Sequence, residues 1–268
     1  MTDSLQAYQA SRAALLAKLT ETLSKDERFI AAWLTGSFGR GEADAVSDLD
    51  LTLVVSRRYS ASLCARPEPA GAKTTKERFD LFSSFGQPAA IHENNNNAPE
   101  GGTFTFVLYT PSALMVDWIL LPQAIARRPA QSRLLFDKAG IPLSPPTEPE
   151  SEEQRVEMAS NSIAFFWMMA AVTAKYIVRD DAVFVNCWLE ALYKLVREVE
   201  RLAAGEVWQY ERGSLTVLES TPESQIRAMR RLCLQMQDLM PGIAELGGRI
   251  PVSPLPEIEA LLALAEGQ

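Results

Sequence analysis

The sequence predicts an α+β fold in which a domain of strands and helices precedes a domain of helices alone. Short apolar or alternating runs, which are typical of strands, occur only before the proline-rich acidic segment PLSPPTEPESEE. Beyond that segment, Leu, Ala, Glu and Arg recur with the spacing of packed helices. Because the segment itself lacks apolar periodicity, it predicts a linker, and we expect domains at 1–145 and 146–268.

Apolar or alternating runs predict the strands of the first domain. These runs are RFIAAWLTG, DLDLTLVV, the two halves of TFTFVLYTPSALMVDWILLPQ joined at Thr110-Pro111-Ser112, and RLLFDKAGI. Helical spacing predicts a helix over residues 4–23 and a short helix over residues 75–85. The polar run ENNNNAPEGG predicts a surface loop, and we assign His92 beside it to the same loop.

The second domain begins with a helix whose start is indicated by Ser151 and Gln154, the two positions of a capping box. Its apolar run SIAFFWMMAAVTA stops at Lys175, and we interpret it as a buried helix that is too short to span a bilayer. The segments PESQIRAMRRLCLQMQDLM and EIEALLALAE predict further amphipathic helices.

The composition narrows the classes of function. The chain has 268 residues, 47% of them apolar, and a formal net charge of −8. An acidic protein is poorly suited to bind nucleic acid, whose phosphates require a basic surface. The sparse and odd set of cysteines, Cys64, Cys187 and Cys233, has no metal-binding spacing and predicts reduced thiols in the cytoplasm. The N-terminal residues show no signal-peptide pattern, so a membrane or secreted location is not expected.

Two aspartates, Asp48 and Asp50, open the strand-like run DLDLTLVV. Side chains two residues apart on a strand point to the same face, so both carboxylates are predicted to lie opposite the leucines of the run. Two carboxylates about 4 Å apart repel by about 4 kcal/mol at an intermediate dielectric. Either one of them is protonated or a cation lies between them, and short oxygen ligands suit Mg²⁺.

A third acid, Asp117, is the one charge in the apolar run ALMVDWILLP. Burying a lone carboxylate is costly unless it is paired or bound to a metal. If its strand lies beside the strand of Asp48 and Asp50, three carboxylates converge. Such a group can hold two divalent ions and organise phosphoryl or nucleotidyl transfer.

A Gly-Ser turn precedes these acids and predicts a phosphate site. Gly36 lets the backbone approach a phosphate closely, and the amides and hydroxyl of Ser37 can cradle it. Arg40 can add charge-assisted hydrogen bonds to the same phosphates. Pairing of Arg40 with Glu42 or Asp44 on the surface is the alternative that the sequence leaves open.

In these residues the chain resembles the DNA polymerase β-like nucleotidyltransferase superfamily, and within it the bacterial antibiotic nucleotidyltransferases. A Gly-Ser pair, a short helix, a strand with Asp-x-Asp and a third acid on a later strand characterise the superfamily. Here the matching residues are Gly36, Ser37, Asp48, Asp50 and Asp117. The resemblance implies a catalytic domain with a mixed sheet flanked by helices, followed by a helical bundle, and the possibility of a homodimer.

The resemblance also implies a reaction and the residues that perform it. A nucleoside monophosphate, AMP from ATP or another NTP, would pass to a hydroxyl of an aminoglycoside or lincosamide, with release of pyrophosphate. Two Mg²⁺ ions would be held by Asp48, Asp50 and Asp117, and Asp117 or Asp181 would take the acceptor proton. By likeness of the helix FFWMMAAVTAKYIVRDD to the first bundle helix of these enzymes, Lys175 would reach the nucleotide phosphates.

Other functions stay open at this point. The acceptor could be a protein side chain, or the chain could be a non-catalytic, antitoxin-like partner module. RNA tailing is disfavoured because no basic stripe with interleaved aromatic residues is present. Lys175 could simply extend into solvent from the end of its helix, and Asp180 and Asp181 could form no more than a helix-terminal turn.

Overall fold

The computed structural model describes residues 2–65, 74–94, 96–146, 148–207, 219 and 221–266. Its contacts divide the chain into two compact units, Met1–Pro146 and Thr147–Gln268. Unit 1 contains a mixed sheet flanked by helices, and the described part of unit 2 contains helices without strands. The predicted α+β fold class is therefore confirmed.

In the described part of the chain, unit 1 has four helices and six strands. The helices are α1 (Thr2–Lys25), α2 (Gly36–Arg40), α3 (Ser60–Leu63) and α4 (Lys76–Ser83). The strands are β1 (Phe29–Leu34), β2 (Leu49–Val55), β3 (Gln87–Glu93), β4 (Thr103–Thr110), β5 (Met115–Pro122) and β6 (Arg133–Asp137). All of the strand-like runs named above form strands, and the two expected helices correspond to α1 and α4.

The strands form a sheet in the order β3-β4-β5-β2-β1-β6. Strands β2 and β5 run parallel, whereas every other neighbouring pair is antiparallel. One face of the sheet packs against α1, α3 and α4 and forms the main core of unit 1. Strand β2 contributes to this core its alternating residues Leu49, Leu51, Leu53 and Val55. The opposite face of the sheet is the face that carries Asp50.

Strand β3 corrects the sequence-based assignment of His92 to a loop. Residues Gln87–Glu93 pair with β4 in antiparallel register, and His92 lies opposite Phe106. Because β3 is an edge strand, it tolerates Pro88 and polar residues that a central strand would exclude. It therefore lacks the apolar alternation by which the other strands could be recognised.

A buried ion pair joins α4 to β3. Arg78 Nε lies 3.0 Å from Glu93 Oε1, and the two side chains are 0% and 3% exposed. Arg78 also donates to the carbonyl oxygens of Leu63 and Ala65, while the Thr105 hydroxyl donates to Glu93. One guanidinium and one carboxylate thus connect α3, α4, β3 and β4 beneath the sheet.

Unit 2 has four helices in its described part, and they pack around a common apolar core. They are α5 (Glu152–Val178), α6 (Ala182–Ala204), α7 (Pro222–Glu245) and α8 (Leu255–Glu266). Ser151 and Gln154 form the predicted capping box at the start of α5, each side chain bonding the backbone N–H of the other residue.

Helix α5 is longer than its apolar run suggested. Its 27 residues are enough, by length and composition alone, to cross a membrane, which corrects the expectation of a run too short to span one. Phe166, Ala170 and Ala174 on this helix are fully buried in the core of unit 2. Since the core helix of a soluble protein passes the same test, the length of α5 supports no conclusion about a membrane.

The ion pair of Arg78 and Glu93 yields the first prediction. Arg78→Met should lower the free energy of unfolding by about 3–5 kcal/mol, because it leaves the Glu93 carboxylate buried without its cation. Adding Glu93→Gln to this variant should recover part of the loss. Urea unfolding monitored by tryptophan fluorescence measures both effects.

Lys76→Met provides the matched control on the same helix. Lys76 pairs with Asp80 on the surface, where the two side chains are 83% and 57% exposed. Loss of this surface pair should lower the free energy of unfolding by less than about 1 kcal/mol. Equal destabilisation by Arg78→Met and Lys76→Met would contradict the importance given to the buried pair.

Candidate active site

Asp50 and Asp117 lie side by side on the two parallel strands of the sheet. The register of β2 and β5 pairs Asp50 with Asp117 and Leu49 with Val116. Directly paired residues of neighbouring strands point to the same face, so both carboxylates lie on the face opposite the main core. The structure thus brings together two of the three acids that the sequence singled out.

Asp48 precedes β2 by one residue and lies close enough to influence both of these carboxylates. Burial, followed by the negative charges of Asp48 and Asp50, raises the pKa of Asp117 to about 7. Burial and then the charge of Asp48 raise the pKa of Asp50, whereas the Arg40 guanidinium acts in the opposite direction. The three acids therefore form one electrostatically coupled group.

The three acids are electrostatically coupled, but in the described part of the chain they are not arranged as a complete set of metal ligands. Within the described ranges, no three His, Cys, Asp or Glu side chains are arranged as a ready metal site. Two buried oxygens, Asp117 Oδ1 and Ser37 Oγ, lack a hydrogen-bond partner among the described residues. Buried polar atoms nearly always have a partner, so these two oxygens fit a cation at the acids and a phosphate at the turn.

Gly36 places the backbone of the turn directly against Asp50. Its φ is +54°, and a Cβ at this position would lie 1.9 Å from Asp50 Oδ2. The preceding residue, Thr35, donates its backbone N–H to the Asp50 carbonyl oxygen at 2.9 Å. Only a residue without a side chain leaves room for this carboxylate, so the Gly-Ser turn and the acids form one site.

Arg40 is the last residue of α2 and forms an ion pair with Glu42. This pairing is one of the two surface pairings that the sequence left open. Arg40 Nε lies 2.8 Å from Glu42 Oε2, and the Arg40 side chain is 22% exposed. The guanidinium still acts on the pKa of Asp50. Arg40 is therefore close enough to contribute positive charge to the site while it holds Glu42.

Arg12 on α1 connects the two segments of the site, and the sequence analysis missed it. It donates to the backbone carbonyl oxygens of Asp44 and Ser47, in the turn that leads into Asp48. Its guanidinium carbon lies 5.0 Å from the centre of the Phe38 ring on α2. A single arginine on an amphipathic helix normally indicates a solvated surface, so the sequence carried no signal for this contact.

Lys175 and Asp181 belong to unit 2. Lys175 is exposed near the C-terminal end of α5. Asp181 is the N-cap of α6, where its carboxylate accepts the backbone N–H of Phe184 at 3.0 Å. The cap corresponds to the helix-terminal turn considered as an alternative, and the catalytic role of Asp181 and the nucleotide contact of Lys175 stay predictions.

Comparison with known proteins gives limited information. No family model and no curated protein matches the chain. Among solved structures, the chain is similar to an aminoglycoside 6-adenyltransferase from Bacillus subtilis, with 12% identity, coverage of 96% of each chain and a TM-score of 0.29. A similarity of this size supports no conclusion about activity or substrate, so the functional inference depends on the residues described above.

Asp117→Asn should make the protein more stable at alkaline pH. The pKa of Asp117 is raised from 3.8 to about 7 in the folded state, so the folded protein binds this proton more tightly than the unfolded chain does. The wild type therefore loses stability as the pH rises from about 4 to about 7, and the asparagine variant is spared that loss.

Thermal unfolding in EDTA at about pH 5 and about pH 8 tests this expectation. The melting temperature of Asp117→Asn should exceed that of the wild type by a few degrees at the higher pH and by less at the lower pH. Asp238→Asn, on the exposed side of α7, should change neither value. A variant that is destabilised equally at both pH values would show that Asp117 is not buried beside like charges.

Proposed function

We propose that this chain is a magnesium-dependent nucleotidyltransferase. It transfers a nucleoside monophosphate, AMP from ATP in the first instance, to a hydroxyl of a small molecule such as an aminoglycoside or lincosamide, and it releases pyrophosphate. The observation that supports this most directly is the coupling of Asp48, Asp50 and Asp117 beside Gly36. Nucleotidyl transfer needs a metal site and a phosphate site next to each other. The clustered acids can form the metal site, and the turn at Gly36 beside them can form the phosphate site.

The three aspartates are the residues that would hold Mg²⁺. They supply only carboxylate oxygens, which is the donor set that this ion prefers, and Asp117 Oδ1 has no partner among the described residues. When bound, Mg²⁺ neutralises phosphate charge and lowers the pKa of an attacking hydroxyl. Repulsion from neighbouring acids contributes, after burial, to the raised pKa of Asp50 and of Asp117, and this supports the proposal because a cation would relieve that repulsion.

The Gly-Ser turn would bind the triphosphate. The buried Ser37 hydroxyl has no partner among the described residues and can donate to a phosphate oxygen. Gly36 permits the backbone to approach the same group. Arg40 adds positive charge from the end of α2, and the resemblance alone assigns a phosphate contact to Lys175.

The proposed reaction uses these groups as follows. The acceptor hydroxyl oxygen bonds to the α-phosphorus, the bond from that phosphorus to the bridging oxygen of the β-phosphate breaks, and pyrophosphate leaves. The acceptor proton passes to the carboxylate of Asp117. Bound Mg²⁺ would keep this carboxylate ionised, which is the form that can accept a proton. The resemblance alone offers Asp181 as the alternative base.

Two alternative functions are transfer of the nucleotide to a protein side chain and a non-catalytic role as a partner module. Transfer to a protein side chain would need the same acids and the same turn, and it differs in the acceptor alone. A non-catalytic partner module has no use for clustered carboxylates, and their mutual repulsion is a cost that such a module need not carry. The raised pKa of Asp117 therefore favours an enzyme over a binding module.

Nucleotide binding and transfer are tested together. One NTP should raise the melting temperature in the presence of Mg²⁺ and not in EDTA. With that NTP radiolabelled on its α-phosphate, label should appear on a compound in a panel of aminoglycosides and lincosamides. Asp50→Asn should lower the transfer rate at least about 100-fold, because the residue holds the metal and the phosphates together.

Asp238→Asn on α7 serves as the control for that experiment and should transfer label at the wild-type rate. Label on protein bands in a cell lysate, without label on any small compound, would favour the protein-modifying alternative. Transfer by Asp50→Asn at the wild-type rate would contradict the proposed enzyme.

Gly36→Ala and Gly41→Ala form a matched pair at the turn. Both glycines have positive φ, +54° and +75°, so each alanine costs about 1–2 kcal/mol in backbone strain alone. A Cβ at Gly36 would collide with Asp50, whereas a Cβ at Gly41 would meet nothing within 4 Å. Gly36→Ala should therefore abolish the Mg²⁺-dependent stabilisation by NTP, and Gly41→Ala should retain it. Equal responses of the two variants in the thermal-shift assay would contradict a nucleotide site at Gly36.

A further inference from the structure

Aromatic side chains lie next to the acids on the same face of the sheet. Asp50 is paired with Asp117, Asp117 with Phe106, and Phe106 with His92, through the registers of four neighbouring strands. These four residues therefore lie at one level on the same face of the sheet, in the strand order β2-β5-β4-β3. Nothing in the sequence places Phe106 or His92 near the acids, because the connection exists only through strand pairing.

The rings of this row pack on one another and remain accessible. The His92 and Phe106 rings are stacked, with centroids 6.1 Å apart and planes 17° apart. Phe104 meets Phe106 edge to face at 4.8 Å. Phe104 and Phe106 are half-buried and His92 is exposed. We call these three residues the aromatic shelf.

The shelf lies on the opposite side of the acids from the Gly-Ser turn. Gly36 follows β1, the neighbour of β2 on one side, and Phe106 lies on β4, the neighbour of β5 on the other. In an in-line displacement, the entering oxygen approaches the phosphorus from the side opposite the leaving oxygen. A pyrophosphate that leaves toward Gly36 therefore requires a hydroxyl that enters from the side of Phe106.

We propose that the aromatic shelf is the binding site for the acceptor, which is a hydroxylated ring that carries an amino group. This inference rests on the proposed nucleotidyltransferase function. The ring lies against the face of Phe106 and directs a hydroxyl to Asp117. Its ammonium group is attracted both by the aromatic faces and by the adjacent acids.

The position of Asp117 is consistent with this placement, because the residue is the strand neighbour of Phe106. The residue is 6% exposed, and its Oδ1 atom is buried without a hydrogen-bond partner among the described residues. The paired residue on the shelf side is Phe106, whose ring offers no hydrogen bond to this oxygen. An acceptor ring on the shelf would therefore place its hydroxyl beside the Asp117 carboxylate, through the direct pairing of Phe106 with Asp117.

Phe106 variants test the shelf with steady-state kinetics. Kanamycin, streptomycin and lincomycin are the probes, since each carries hydroxyl groups and a basic nitrogen. Phe106→Ala should raise the KM for the compound that the wild type uses by at least about tenfold and leave the KM for ATP within about twofold. Phe106→Tyr, which keeps the ring, should restore the acceptor KM.

Two controls separate the shelf from a general loss of structure. Phe79→Ala removes an exposed phenylalanine of α4, 47% accessible, and should leave both KM values unchanged. The stabilisation of Phe106→Ala by Mg²⁺ and ATP should equal that of the wild type, which shows that the nucleotide half of the site remains folded.

Each of the other outcomes has a distinct meaning. A raised KM for ATP with an unchanged acceptor KM would overturn the proposal and make the shelf a nucleobase platform. Unchanged values for both substrates would overturn it outright. A wild type that binds Mg²⁺ and ATP yet modifies none of the three probes would overturn the shelf as a site for this acceptor class. A wild type that binds no nucleotide would overturn the proposed function itself.

Discussion

The parallel pairing of β2 and β5 is the constraint on which the candidate site depends. It brings Asp50 and Asp117 into register on one face, where burial and the nearby Asp48 disfavour their ionisation. Parallel strands cannot be joined by a tight hairpin, so the chain must cross over between them. That crossover carries the hairpin of β3 and β4, which is why the aromatic shelf lies next to the acids.

Neighbouring residues hold the three acids in fixed positions. Gly36 lets Asp50 pack against the turn, and Arg12 fastens the loop before Asp48 to α1 through two backbone carbonyl groups. On the opposite face, β2 is anchored by apolar side chains of the main core, so the strand cannot rotate to relieve the repulsion. Stability in the core thus compensates for the electrostatic cost at the site, a pattern common in catalytic sites.

Local sequence patterns predicted most of the fold. Alternation and apolar runs indicated β1, β2, β4, β5 and β6, because each of these strands contributes an apolar face to the core. The edge strand β3 was missed since it buries little apolar surface. The spacing of the motif identified Gly36 and the three aspartates. Arg12 is connected to the site by hydrogen bonds distant in sequence, and Phe106 by strand pairing, so no local sequence pattern could identify either residue.

The most direct test of the central claim is the titration of Asp117 by NMR of its side-chain carboxyl carbon, with and without Mg²⁺. In EDTA the pKa should be about 7, and Asp50→Asn should lower it by removing one neighbouring charge. Added Mg²⁺ should lower it further, because a bound cation favours the ionised carboxylate. An Asp117 that titrates near 3.8, its ordinary value, and responds neither to Mg²⁺ nor to Asp50→Asn would contradict a shared acidic site.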